Sequence, residues 1–282
     1  MDYLNAGLQA VEMQFGYSSV IYSYDSQNHR VSETYLNSKG LPHQISAGYA
    51  GIRYEYDEQG QVWRRTFLDT SGQPTLCKDG YAAIAYEYNE NQYVTRLTYL
   101  DERYERVYIS SGYSAILRTV DKNGSVLTET YLDRNDTPVA NSQGYAALRN
   151  TWDDRKRLSL REYLNTEGQP VQLTAGYAAV GYEYDNRDNT IRQSYYSKTG
   201  ALTWNQFGYS EITYTYDDRN HCVEERLFNT QGRPAIHNRG RYSFLTREVD
   251  ADGRVLSVKY FDVSCNPTTY QNQYAEIRYQ YD

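Results

Sequence analysis

Sulfur is scarce in this chain, with three cysteines and two methionines among 282 residues. Cys77, Cys222 and Cys265 fall at unrelated points of the pattern described below, so they compose no disulfide framework and no repeated metal site. His29, His43, His221 and His237 are equally isolated and show no ligand spacing. No metal and no cofactor is expected. There is no apolar run near the roughly 20 residues that span a bilayer, so no membrane insertion is expected either. A basic stripe is also missing. The 29 Lys+Arg are outnumbered by 36 Asp+Glu and interspersed with them, for a net charge of -7. That argues against nucleic acid and against an anionic membrane surface as partners. Nucleophile-elbow, P-loop and dinucleotide fingerprints are absent.

What the chain has is tyrosine, 33 residues of it, and a period. Gly-Tyr occurs at Gly16-Tyr17 and then every 32 residues to Gly208-Tyr209; Tyr242 and Tyr274 continue the series after one inserted residue near Gly240-Arg241. Residues 1–282 therefore read as a single repeat array, with units starting near 16, 48, 80, 112, 144, 176, 208, 241 and 273. Columns of the unit are numbered 1 to 32 from the Gly. The chain opens in column 20, at Tyr3-Leu4-Asn5, and closes in column 10, at Asp282. Neither end resembles a capping repeat, so a fragment of a longer array is expected.

Columns 2 to 10 alternate. Column 5 is aliphatic in every copy and column 8 is always polar, which predicts a strand burying columns 3, 5, 7 and 9. Asp holds column 10 in all copies but Asn89, and column 13 favours Gly, Asn or Asp. An Asx-type turn closed by a residue at positive φ follows, the common connection of a hairpin. Gln92 and Lys156 depart from the pattern, so their turns are expected to differ. Columns 14 to 22 return as a second strand. Adjacent apolar residues at columns 20 and 21 point to opposite faces, so both faces need cover. A second turn, Asp/Asn-x-x-Gly-x-Pro, carries all six prolines in column 27, with Arg106 and Leu202 as exceptions. Pro stops a central ladder there. The expected fold is all-β: an elongated array of antiparallel β-hairpins, about nine units long, forming a solenoid or superhelical sheet. At roughly 4.8 Å per strand it would be a rod of about 80–90 Å.

Tracts such as "YEYDEQGQVWRRT" from Tyr54, "YSYDSQNHRV" from Tyr22 and "YTYDDRNHCV" from Tyr214 resemble the YD repeat of Rhs and teneurin-type proteins. The alternation of Tyr-rich hairpins with Gly turns is more weakly similar to Gram-positive cell-wall-binding repeats. The first resemblance implies hairpin sheets that wrap or encapsulate, the second a glycan-binding solenoid. Both imply bacterial proteins that are extracellular or on the cell surface.

Function is read accordingly. Every copy offers the same Asp turn, whereas an enzyme needs one differentiated constellation, so no catalysis is expected. A repeated Ca²⁺ site is disfavoured because each turn supplies one reliable carboxylate where the ion wants six or more oxygens. The reading is a non-catalytic repeat module binding a glycan, a cell-wall polymer or another protein; a purely structural spacer or shell, and an intracellular interaction scaffold, are the alternatives. Columns 2, 7, 9 and 20 hold 28 of the tyrosines, which makes ring ladders the first expectation. By alternation column 2 would lie opposite column 5, beside the small residues of column 4. The resulting groove is either clasped by the column 20 ring or left open for a sugar, and the clasp is preferred. If it is open, Tyr49, Tyr81, Tyr145 and Tyr177 are candidate ligand contacts, joined by the out-of-pattern Trp63 and Trp204. The inserted residue near Gly240 must bulge or lengthen a connection, since a one-residue slip would flip every side chain of the next strand; register is expected to be disturbed there and the ladders interrupted.

Overall fold

The computed structural model describes residues 13–14 and 16–281. The expectations at Tyr3-Leu4-Asn5 and at Asp282 lie outside the described residues. Two compact units divide the chain, 1–147 and 148–282. The first holds β1 (Ser19–Tyr24), β2 (Arg30–Leu36), β3 (Gly51–Tyr56), β4 (Val62–Leu68), β5 (Ala83–Tyr88), β6 (Val94–Leu100), β7 (Ala115–Val120) and β8 (Val126–Leu132). The second holds β9 (Ala147–Trp152, whose first residue closes the first unit), β10 (Leu158–Leu164), β11 (Ala179–Tyr184), β12 (Thr190–Tyr196), β13 (Glu211–Tyr216), β14 (Cys222–Phe228), β15 (Phe244–Val249), β16 (Val255–Phe261) and β17 (Glu276–Arg278). The described residues contain no helix. The protein is all-β, and inside each unit consecutive strands pair antiparallel in chain order.

Pairing is uneven. Inside a hairpin six pairs form, from Ala83↔Leu100 to Tyr88↔Val94 in β5–β6, with a bulge between Glu87 and Tyr88. From one hairpin to the next only three form, as in Arg64↔Ala85, Arg65↔Ile84 and Thr66↔Ala83. The hairpin is thus the building block, and each meets its neighbour along its base.

The turns have local causes. Asp57 Oδ1 accepts the backbone N–H of Gln59 and of Gln61, and Gly60 N–H donates to the Asp57 carbonyl. Column 13 takes positive φ in each hairpin turn, 77° at Gly60 and 67° at Asn28. Contrary to expectation, Gln92 and Lys156 do the same, at 66° and 62°, and keep the same turn hydrogen bonds. The network of the turn outweighs the cost of a side chain there, about 1–2 kcal/mol. The second turn repeats the device at column 22, where Asp69 Oδ1 accepts from Ser71 and Gln73. The chain then folds back so that column 27 bridges column 21, Leu68↔Pro74; Arg106 and Leu202 make the same bridge without proline.

A third turn, columns 30 to 1, leads into the next unit, as in Cys77 N–H···O=C Tyr81 and Gly80 N–H···O=C Cys77. It changes the placement of column 2. The strand starts at column 4, and a bend at column 3 breaks the alternation. Column 2 tyrosines therefore pack on the same face as column 5, not opposite it. Column 3 is always Ser or Ala and wholly buried through Ser243, because its N–H and C=O are both engaged: Ala82 N–H donates to Leu100 and its carbonyl accepts from Phe67.

One face of the sheet carries column 5 and column 20, roofed by columns 2, 28 and 30. In the first unit Ile84, Tyr99, Ile109, Ile116 and Tyr131 form one such core; in the second Val180, Tyr195, Tyr209, Ile212 and Leu227 form another. The other face buries columns 4 and 21, such as Ala83, Leu100, Ala115 and Leu132, under the second turn. The insertion near Gly240 leaves strand register intact, Phe244↔Phe261 to Val249↔Val255. The extra residue lengthens a connection, the third turn, as expected. There Arg241 N–H donates to the His237 carbonyl and His237 N–H to Tyr242, where Asn205 N–H reaches Tyr209 four residues on.

Candidate functional site

The tyrosines of columns 2 and 20 alternate as a continuous series of ring contacts. In the first unit it runs Tyr17, Tyr35, Tyr49, Phe67, Tyr81, Tyr99, Tyr113, Tyr131, Tyr145, with centroids 4.3–6.0 Å apart. In the second it runs Tyr163, Tyr177, Tyr195, Tyr209 at 4.9–5.9 Å. Leu227 then takes the column 20 place, and His237 carries the contacts from Tyr209 to Tyr242. Such offset and edge-on pairs are worth about 0.5–1.5 kcal/mol each beyond area burial.

The hydroxyls are placed as well. Tyr35 donates to Glu33 Oε1 at 2.7 Å and Tyr131 to Glu129 Oε1 at 3.0 Å, in both cases the column 18 side chain two residues back on the same face. Burial pushes the Tyr81 hydroxyl up to about 12, the Tyr54 hydroxyl likewise, and raises that of Tyr49. Column 9 has its own device. Tyr56, Tyr88, Tyr184, Tyr216 and Tyr281 each donate to the column 15 carbonyl of the preceding hairpin, those of Arg30, Val62, Leu158, Thr190 and Val255, at 2.8–3.0 Å.

Tyr49 and Tyr81 both lie against Phe67, Tyr145 against Tyr131, and Tyr177 between Tyr163 and Tyr195. All four are half-buried members of the ladder. The two tryptophans are different. Trp63 sits at the bulge column, 37% exposed, with the Arg64 guanidinium 4.4 Å from its ring centroid. Trp204, in column 29, is 48% exposed. It lines an open depression of about 490 Å³ with Pro234, Ile236, Asn238 and Val263.

Column 29 was not singled out in the sequence. It lies between columns 28 and 30, which are buried or half-buried, and faces outward, carrying Leu76 and Tyr108 in the first unit and Trp204 and Ile236 in the second, all exposed. Its signal was visible as apolar residues next to the third turn. Among the described residues no group of three or more His, Cys, Asp or Glu could hold a metal ion, and no helix is long and apolar enough to cross a membrane. His29 and His221 are taken up by their own turns, with Nδ1 3.1 Å from Asp25 and Asp217.

No known protein family and no curated protein matches the sequence. Solved structures that resemble the fold include TcdB2-TccC3 without its hypervariable C-terminal region, at 14% identity and a TM-score of 0.42, covering 86% of this chain and 12% of that one. A Photorhabdus luminescens Tc holotoxin pore has 11% identity and a TM-score of 0.27, covering 90% of this chain and 15% of that one. A porin-like protein from Bacteroides uniformis has 11% identity and a TM-score of 0.30, covering 85% and 86%. The chain thus spans about an eighth of the first of these, and at such scores none assigns it a role.

Proposed function

We propose that this chain is a non-catalytic structural module, a wall or spacer built from hairpin repeats, with binding confined to its outward-facing aromatic residues. The observation that carries this is the clasp. Column 2 rings are packed against column 20 rings along each unit, so the groove that a sugar would need is filled by the protein's own side chains. An extracellular or cell-surface setting in a larger bacterial protein, as the YD-type resemblance implies, belongs to the proposal.

The test is a glycan array and a thermal melt, run on the chain and on a variant with Tyr81, Tyr145 and Tyr177 changed to Ala. The structural reading expects no glycan bound by the parent and a large loss of stability in the variant. A variant that stays folded and loses a glycan bound by the parent would overturn it.

A second reading rests on Trp204. An exposed indole beside the amide of Asn238 in an open depression is the chemistry that stacks on a sugar face and bonds its hydroxyls. Under it, the module binds a glycan or a partner protein through Trp204 and not through the ladder tyrosines. Loss of an array signal in Trp204→Ala, with an unchanged melt, separates the two.

A further inference from the structure

In the first unit the second turn of one repeat departs from its pattern. Tyr104 occupies column 25, where Gly40, Gly72, Gly168, Gly200 and Gly232 stand elsewhere, and holds φ at 62°. A bulky residue at positive φ is strained by about 1–3 kcal/mol and persists only where its surroundings hold it. The surroundings are clear. The side chain reaches back over the preceding repeat, the Arg64 guanidinium lies 3.9 Å from its ring centroid, and Arg53 Nη2 donates to its hydroxyl at 2.6 Å. The next repeat fills the corresponding place with a salt bridge: Asp136, also at positive φ, receives Arg96 and Arg106.

In the second unit the corresponding place is empty. Gly200 stands where Tyr104 does, and Leu160 where Arg64 does. A cavity of about 260 Å³ opens there, floored by Ala178 and Ala179 and walled by Leu160, Pro170 and Tyr196, with Glu162 and Lys198 at its edge. Arg149 corresponds to Arg53, and Glu162 grips it through two hydrogen bonds of 2.6 and 2.7 Å. The cavity is smaller than the roughly 300–1,000 Å³ that enclose drug-sized ligands, so it suits one ring.

We propose that this cavity binds a single hydroxyaryl ring in the position that Tyr104 takes within the first unit. Leu160 and Pro170 supply the apolar walls, the two alanines let the ring approach the sheet, and the Arg149–Glu162 pair meets the hydroxyl. The pair offers both a donor and an acceptor, so a phenol is favoured over a bare aryl group. The ring could be a free phenol or a tyrosine side chain on a partner, and the two have the same chemistry here. The site is independent of the ladder reading, since it lies on the opposite face of the sheet.

The experiment is an NMR titration of the full chain with p-cresol, toluene and N-acetyl-tyrosinamide, following the amides of Ala179, Tyr196 and Gly200. Saturable shifts are expected for p-cresol, with an affinity on the order of 1 mM for so small a ligand, and tighter than for toluene. Tyrosinamide binding better than p-cresol would identify a peptide source; p-cresol binding better would identify a small-molecule source. Gly200→Tyr installs the first unit's own plug and should abolish the shifts, whereas Gly200→Ala, with the same backbone strain and an open cavity, should keep them. The absence of saturable shifts with any phenol, toluene binding as tightly as p-cresol, or undiminished binding in a folded Gly200→Tyr variant would each overturn the proposal.

Discussion

Tyr88 donates its hydroxyl to the carbonyl of Val62, 26 residues earlier, at 2.8 Å. The bond lies where the ladder between hairpins has already ended. Only columns 17 to 19 of one hairpin pair with the next, and Val62 is in column 15. The tyrosine supplies the donor that a neighbouring strand would otherwise give. Tyr88→Phe keeps the ring and removes the bond, and the expected cost is about 1 kcal/mol in urea denaturation. Tyr184→Phe should behave alike through Leu158. An unchanged midpoint in both would show that water replaces the hydroxyl without penalty.

The turns at Gln92 and Lys156 hold a long side chain at positive φ where the other hairpin turns have Gly, Asn or Asp. Gln92→Gly and Lys156→Gly should each raise the unfolding free energy by up to about 1 kcal/mol, the relief of left-handed strain less the extra freedom of the unfolded glycine. Gly60→Ala, at φ 77°, should shift the melt the other way.

Column 3 admits nothing larger than Ser. Ala82 and Ala146 are fully buried, with both backbone groups of Ala82 bonded across neighbouring strands. Ala82→Leu should destabilise by about 1–3 kcal/mol or more through overpacking. Lys39→Leu, on an exposed turn, is the matched control and should leave the denaturation curve in place.

Two sets of groups give pH dependence of opposite sign. The turn carboxylates of Asp121, Asp153, Asp185 and Asp217 are held below their ordinary range, chiefly by the hydrogen bonds they accept from their own turns. Their contribution is present above the unfolded value of 3.8 and is lost as pH falls through the folded one. Half-buried Tyr81 is raised by burial from 10.0 to about 12, so its contribution is present below pH 10.0 and is lost on the way to about 12. A spectrophotometric titration should show the tyrosinates of Tyr81, Tyr99, Tyr131 and Tyr195 forming only above the ordinary value of 10.0, together with loss of β circular dichroism. Ionisation of these four at the ordinary value in a folded protein would contradict the packing described.

The sequence disclosed most of the hairpin. Column 5 with its aliphatic residues, the Asp turns and the column 27 stop all stand where alternation and turn chemistry put them, because each is decided by neighbours a few residues away. Column 2 was misplaced because alternation holds only inside a strand. Tyr81 lies outside one, and the bend at Ala82 turns its ring to the other face. Column 30 was missed because it mixes Ile109, Cys77 and Asn205. Asn205 is buried like the others, its Oδ1 accepting from Phe207 and Tyr209 within the third turn, and no hydropathy pattern reports that. At the candidate site, Trp204 was legible as a residue out of pattern. The depression around it was not, since Trp204, Ile236 and Val263 come from three successive repeats and meet only through the fold.

The longer turn between His237 and Tyr242 shows how length errors are contained. Each hairpin takes its alignment from its own six pairs, so a residue gained in the third turn leaves the phase of β15 and β16 untouched. An array of this kind does not accumulate offsets. Duplication or loss of sequence need not occur in whole multiples of 32, provided the break falls between columns 30 and 1. The same stretch is therefore the natural place to graft a loop or a foreign peptide, where its length would be free to vary while the strands on either side stay in step.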